Sequence, residues 1–124
     1  MSKDSRILVV EDNTTTRLYI KRILRNLGYS AVKTTDDGAA ALVEMRMNSY
    51  DLIISDWNMP NLNGLEFLKT LKKTPRFSSI PFLMITGENQ LLYVKKALRH
   101  GASNYIVKPF EADGFKQKIQ ELLN

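Results

Sequence analysis

The chain has 124 residues, 44% apolar and 25% charged, the balance and length of one globular domain. It contains no cysteine, which excludes disulfides, thiolate catalysis and zinc–sulfur sites. The formal charge of +5 is spread over three segments (Lys21, Arg22, Arg25; Lys69, Lys72, Lys73; Lys95, Lys96, Arg99), so solvated helix faces are favoured over a nucleic-acid surface, and no DNA-binding motif is visible.

The first apolar run, within residues 6–10, predicts a strand. It is too short for a signal peptide or a membrane span, so a cytoplasmic location is expected. From residue 14 to 27 apolar side chains recur at helical spacing (Ile20, Ile23, Leu24, Leu27), and Gly28 stops the helix. Residues 31–34 form a weak second strand and 38–47 a second helix. Residues 52–55 are an isoleucine-rich strand. Leu65, Leu68 and Leu71 mark one face of a third helix that Pro75 ends. Residues 82–85 form a fourth strand behind Pro81. Residues 89–100 predict a fourth helix with Gly101 as its C-cap, 105–107 a fifth strand, and 113–123 a closing helix. Five strand–helix repeats imply βαβ crossovers and an α/β fold with a parallel sheet covered on both faces.

In such sheets ligands bind beyond the carboxyl ends of the strands. Glu11 and Asp12 follow strand one, Asp56 follows strand three, Thr86 and Gly87 follow strand four, and Lys108 and Pro109 follow strand five. Thr35, Asp36 and Asp37, after strand two, read as an ordinary turn. Taken singly, each site residue has a structural account: Glu11 and Asp12 favour a helix N-terminus, Asp56 and Thr86 suit caps, and Lys108 suits a solvated charge. Their joint placement favours chemistry. Three carboxylates repel one another unless cations compensate. Lys108 supplies one positive charge, and a hard divalent cation with oxygen ligands supplies two more. Acids, a lysine and a hydroxyl together suit phosphoryl transfer, with a carboxylate available as nucleophile.

The segments ILVVEDN, IISDWNMPNLNG, PFLMITGE and GASNYIVKPF span essentially the whole chain. Together they resemble the CheY-like receiver domain of two-component response regulators, and within it the stand-alone chemotaxis members. That resemblance implies a flavodoxin-like (βα)5 sheet of order 2-1-3-4-5, occupying residues 1–124 as a single domain. It implies Asp56 as phospho-acceptor; Glu11, Asp12, Asp56 and the Asn58 backbone carbonyl as ligands of Mg²⁺ (or Mn²⁺); and Thr86 and Lys108 as phosphoryl-stabilising groups. Thr86 and Tyr105 would be the switch pair, the Lys108–Pro109 bond would be cis, and Asn58, Gly87 and Glu88 would set access and phosphoryl lifetime. Pro60 and Gly64 would shape the loop after the acceptor. The implied partners are a sensor histidine kinase as donor and a downstream protein that reads the helix 4–strand 5–helix 5 face, with dimerisation on activation open. The protein would then be a signalling switch in phosphorelay transduction rather than a turnover enzyme.

Some features depart from the family pattern. Glu11 stands where aspartate is commoner, so its metal contact is open to a bridging water. Thr14–Thr15–Thr16 replaces a Ser/Thr-then-Met pattern. Leu91, Val94 and Leu98 predict a core stripe on helix 4. Leu92 and Tyr93 fall off it and, with Tyr105, suggest a partner face that leaves a flagellar-motor target open. A phosphorelay intermediate, a phosphate sink, a receiver fragment of a larger regulator and a degenerate scaffold share the same fold. A haloacid-dehalogenase-type phosphatase needs an acid two residues beyond Asp56, where Asn58 stands. A flavodoxin-like nucleotide site around "NTTTR" would place a phosphate against Glu11 and Asp12.

Overall fold

The computed structural model describes residues 3–87 and 91–123. The expected position of Glu88 and the expected helix start at Asn89 lie outside these residues. The elements run β1 (Ile7–Val10), α1 (Thr14–Asn26), β2 (Val32–Thr35), α2 (Gly38–Met47), β3 (Leu52–Asp56), α3 (Gly64–Lys73), β4 (Phe82–Gly87), α4 (Leu91–Arg99), β5 (Asn104–Lys108) and α5 (Ala112–Leu123). All neighbouring strands pair in parallel, in the order β2-β1-β3-β4-β5.

The sheet is buried because its central strands are apolar at nearly every position, which suits burial on both faces. Alternate residues divide between two cores. Ile7, Val9, Leu52, Ile54, Leu83 and Ile85 pack with Ile20, Ile23 and Leu24 of α1 and with Phe115, Ile119 and Leu123 of α5. Leu8, Val10, Ile53, Phe82 and Met84 pack with α2, α3 and α4 through Ala41, Met45, Leu68, Leu71 and Ala97.

Helix starts are set by short polar side chains. Asn13, Asp37 and Asn63 each accept a hydrogen bond from the backbone N–H three residues on, at 2.9, 2.7 and 2.9 Å. Asp37, expected in an ordinary turn, is therefore the cap of α2. Gly28 and Gly101 end α1 and α4 at φ of +100° and +106°, where a side chain would be strained.

Strand ends run further than hydropathy alone suggests. β3 includes Asp56 and β4 continues to Gly87, because the ladder pairs Asp56 with Ile85 and Gly87 with Lys108. Backbone pairing thus carries polar residues to the rim of the sheet.

The expected core stripe of α4 is corrected. Val94 and Ala97 are its buried residues, while Leu91 and Leu98 are 66% and 44% exposed. The helix lays a narrow Val94/Ala97 edge on the sheet. Small Ala97 lets it approach closely and leaves the longer leucines outside. No described helix is long and apolar enough to cross a membrane.

Candidate functional site

Parallel pairing brings the carboxyl ends of β1, β3, β4 and β5 to one rim, with Glu11, Asp56, Thr86 and Lys108 on it. Asp56 is buried and caps no helix; Asn63 has that role for α3. Its Oδ1 accepts from the Trp57 N–H at 2.8 Å, and its Oδ2 accepts from Lys108 Nζ at 3.1 Å. The same ammonium lies 3.0 Å from Glu11 Oε1. Lys108 is therefore not a solvated charge but a bridge between two acids, one just past β1 and one at the end of β3.

Glu11 is fully buried, and its Oε2 accepts from the Asn13 N–H at 3.1 Å. Burial, reinforced by the Asp56 charge, pushes its pKa from the usual 4.5 up to about 7, against the opposing pull of Lys108. Burial works to lower the Lys108 pKa, but the two carboxylates outweigh it and hold the ammonium above its usual range. Asp12 is exposed beside them. One oxygen each from Glu11, Asp12 and Asp56 lie within 4.8 Å of one another. Three carboxylates converging on one point, with a single lysine against them, fit a hard divalent cation as additional counter-charge.

Thr86 is fully buried, and its Oγ1 has no hydrogen-bond partner among the described residues. A buried hydroxyl with an unmade bond is costly, so its presence on the rim points to a group that arrives later. Asn58 is exposed, Gly87 and Tyr105 are half-buried, and Lys118 Nζ lies 5.0 Å from the Tyr105 ring centroid. The Lys108–Pro109 peptide is cis, as expected.

The loop after β3 is fixed by close backbone contact. A Cβ on Gly64 would fall 2.2 Å from the Asp56 carbonyl oxygen, and the Gly64 N–H donates to the Trp57 carbonyl at 2.8 Å. Only glycine lets α3 begin this near the end of β3.

Two contacts lie beyond sequence reasoning. Arg17 Nη1 donates to the Glu11 carbonyl at 3.0 Å, tying α1 to the acidic pair. Trp57 and Tyr93 stack with ring centroids 4.6 Å apart and planes 8° from parallel. Tyr93, expected on an open partner face, is therefore partly committed to Trp57 in the loop after β3. Leu92 is 78% exposed and has the openness expected of it. The first is a local contact within the β1–α1 turn, six residues apart; the second joins elements 36 positions apart, where no local pattern signals it.

The chain belongs to the response regulator receiver domain family, whose pattern it matches over residues 7–120. It is 35% identical over 122 residues to the chemotaxis protein CheY-3 of Vibrio cholerae, covering 98% of this chain and 94% of that protein. The solved structure of the chemotaxis response regulator CheY4 of Vibrio cholerae superposes with a TM-score of 0.88 at 32% identity, covering 96% and 98% of the two chains. The receiver domain of NtrX from Brucella abortus superposes equally well, at 0.88 and 30% identity, covering 94% and 97%.

Proposed function

We propose that the protein is a response regulator receiver whose Asp56 accepts a phosphoryl group from a sensor histidine kinase in a Mg²⁺-dependent reaction. The observation that supports this most is the lysine bridge: Lys108 contacts both Asp56 and Glu11, beside the unpartnered hydroxyl of Thr86.

Glu11, Asp12 and Asp56, with the Asn58 backbone carbonyl, would hold Mg²⁺ or Mn²⁺. When bound, the ion neutralises charge on the phosphoryl oxygens. The chain's own groups perform the rest. The Trp57 N–H and Lys108 fix the two Asp56 oxygens, so one of them meets the phosphorus in a set direction. As the acyl phosphate forms, Lys108 stays paired with the growing negative charge. The Thr86 hydroxyl then donates to a phosphoryl oxygen and completes its missing bond. Moving Thr86 toward the phosphoryl group frees space beside β5 for Tyr105 to turn inward. Gly87 keeps the approach open, and Asn58 and Glu88 adjust how readily water removes the phosphoryl group. The protein thus assists its own phosphorylation and dephosphorylation and turns over no external substrate.

The signal leaves by protein contact. α4 carries Leu91, Leu92 and Leu98 outward, with Tyr93 at 36% exposure. Exposed apolar side chains gathered on one helix suit a partner surface. With Tyr105 on β5 they form the docking face, and phosphorylation shifts its population between two arrangements. Similarity to chemotaxis proteins supports a chemotaxis role in the cytoplasm, with the histidine kinase and one α4–β5–α5 target as partners.

Incubation with Mg²⁺ and acetyl phosphate, followed by intact mass, tests the reading. One phosphoryl adduct, absent in Asp56→Asn, supports it. An adduct that survives in Asp56→Asn, or none from any donor, contradicts it.

A further inference from the structure

The net charge of +5 has one source. Residues 67–103 hold seven Lys and Arg against one acid, Glu88, which leaves eleven bases and twelve acids elsewhere out of the chain's 18 and 13. The fold gathers this excess on one side. α3 and α4 pack on the same face of the sheet, and both run back to the rim opposite Asp56. Between them lies a cavity of about 350 Å³ lined by Lys69, Lys72, Lys73 and His100. Its volume falls within the range of small-molecule sites, about 300–1,000 Å³. Every lining side chain carries a nitrogen donor and none is acidic. Lys69, Lys72 and Lys73 share one face of α3 at spacings of three and four. The Lys72 stem lies so close to the end of α4 that a Cβ on Gly101 would meet it at 3.0 Å, and Lys72 Nζ donates to the Ser78 carbonyl at 2.9 Å.

Cations at helix C-termini complement the helix dipole. That accounts for Lys72 and Lys73 in the last turn of α3, and for Lys96 and Arg99 in that of α4. It does not account for Lys69 in mid-helix, nor for the lack of compensating acids. Among the described residues, the acid that pairs with the lining is Glu66, 3.9 Å from Lys69 with 54% of its side chain exposed. Such a long, exposed pair contributes little. Burial meanwhile holds the Lys72 pKa below its usual value, so this ammonium is poorly compensated where it stands. Like charges around a hollow suit an arriving anion.

We propose that this cavity binds a linear oligophosphate, the phosphate chain of a nucleoside triphosphate or of inorganic polyphosphate, independently of the site at Asp56. Lysine ammoniums act as point charges and suit phosphate oxygens. Planar carboxylates are best read by arginine forks, and no arginine lines the cavity, which disfavours an acidic peptide. A nucleic-acid strand needs aromatic platforms for its bases, and no Phe, Tyr or Trp lines it. A single phosphate carries too little charge to meet three lysines at once. Bound there, the phosphate chain ties Lys69, Lys72 and Lys73 of α3 to His100 at the end of α4.

The test is titration calorimetry on the full chain with inorganic tripolyphosphate, ATP, inorganic phosphate and hexaglutamate. Divalent cations are left out, so the three carboxylates at the other rim repel every titrant. Tripolyphosphate and ATP should each bind one-to-one with a dissociation constant below about 100 μM. The tighter of the two identifies the source of the phosphate chain, and either ranking supports the site. Lys69→Gln/Lys73→Gln should weaken both by about ten-fold or more, the worth of two charge-assisted contacts. Lys73→Gln alone, at an exposed position, should weaken them by about three-fold and keeps the test decisive if the double variant misfolds. Arg22→Gln/Arg25→Gln removes the same charge from exposed positions on α1, across the sheet, and should change affinity by less than about two-fold. An equal loss in the two double variants means attraction to net charge alone and overturns the site. Hexaglutamate binding as tightly as tripolyphosphate also overturns it and assigns the face to an acidic protein. Inorganic phosphate binding as tightly as the chain, or no saturation by tripolyphosphate or ATP below about 1 mM, overturns it too.

Discussion

Replacing Tyr93 with alanine tests whether α4 is tied to the acceptor loop. Tyr93 is 36% exposed, so about two-thirds of the residue is covered, and the indole of Trp57 stacks on its ring. Full burial of a large apolar side chain contributes about 1.5–3 kcal/mol, so this degree of cover contributes about 1–2. Stacking adds roughly 0.5–1.5 kcal/mol beyond area. Alanine returns a few tenths through higher helix propensity, about 0.5 kcal/mol at most. The net expectation is a loss of about 2 kcal/mol in urea unfolding at unchanged m-value. A double-mutant cycle with Trp57→Leu, followed by circular dichroism, isolates the pair and should give a coupling of about 1 kcal/mol. Trp57 is the only tryptophan and 7% exposed, so its emission in Tyr93→Ala should shift to the red. Leu92→Ala, on the same helix but 78% exposed, should stay within about 0.5 kcal/mol of the natural protein. A coupling below about 0.3 kcal/mol with unshifted emission would refute the link between α4 and the acceptor loop.

Four further outcomes are expected. Gly64→Ala places a methyl group against the backbone of Asp56 and Trp57 and should cost about 3 kcal/mol or more by calorimetry or urea; a loss under about 1 kcal/mol would mean the loop yields freely. Mg²⁺ at ten times its dissociation constant should raise stability by about 1.4 kcal/mol and change Trp57 emission, and Asp12→Ala should abolish both effects. Leu92→Lys should keep the Asp56 adduct yet weaken capture of a phosphorylation-dependent partner about ten-fold; undiminished capture would remove Leu92 from the docking face. Burial, and then the Glu44 carboxylate that accepts its hydroxyl at 2.5 Å, push the Tyr50 pKa from 10 up to about 12. Its folded form holds the proton more tightly, so this contribution to stability is full below pH 10 and is lost as pH rises toward about 12. Absorbance titration should show one late-ionising tyrosine, absent in Tyr50→Phe.

Much of the architecture was legible because parallel strands buried on both faces write themselves as apolar runs, and the helices between them carry periodic leucines and polar caps. The site was legible for a related reason. Strand ends are where a chain leaves the core, so Glu11, Asp56, Thr86 and Lys108 stand out against the apolar runs before them. What the sequence conceals is contact between distant elements. Nothing near Tyr93 announces Trp57, 36 positions away. The α4 stripe misled because periodicity weighs leucine heavily and alanine lightly, whereas packing favours whichever side lets the helix come close. Ala97 therefore lies inside and Leu91 and Leu98 outside. The Asp37 cap was missed because an acid after a weak strand looks like any turn.

The central claim is that Asp56 carries the phosphoryl group. An acyl phosphate, unlike a phosphoester, is reduced by borohydride to an alcohol, so an aspartyl phosphate becomes homoserine. The protein is treated with Mg²⁺ and acetyl phosphate, reduced, digested and mapped by tandem mass spectrometry. The expected result is homoserine at position 56 alone, with none when Mg²⁺ is withheld. Homoserine at position 12 in place of 56, or a phosphoryl group that survives borohydride on Ser, Thr or Tyr, would contradict it.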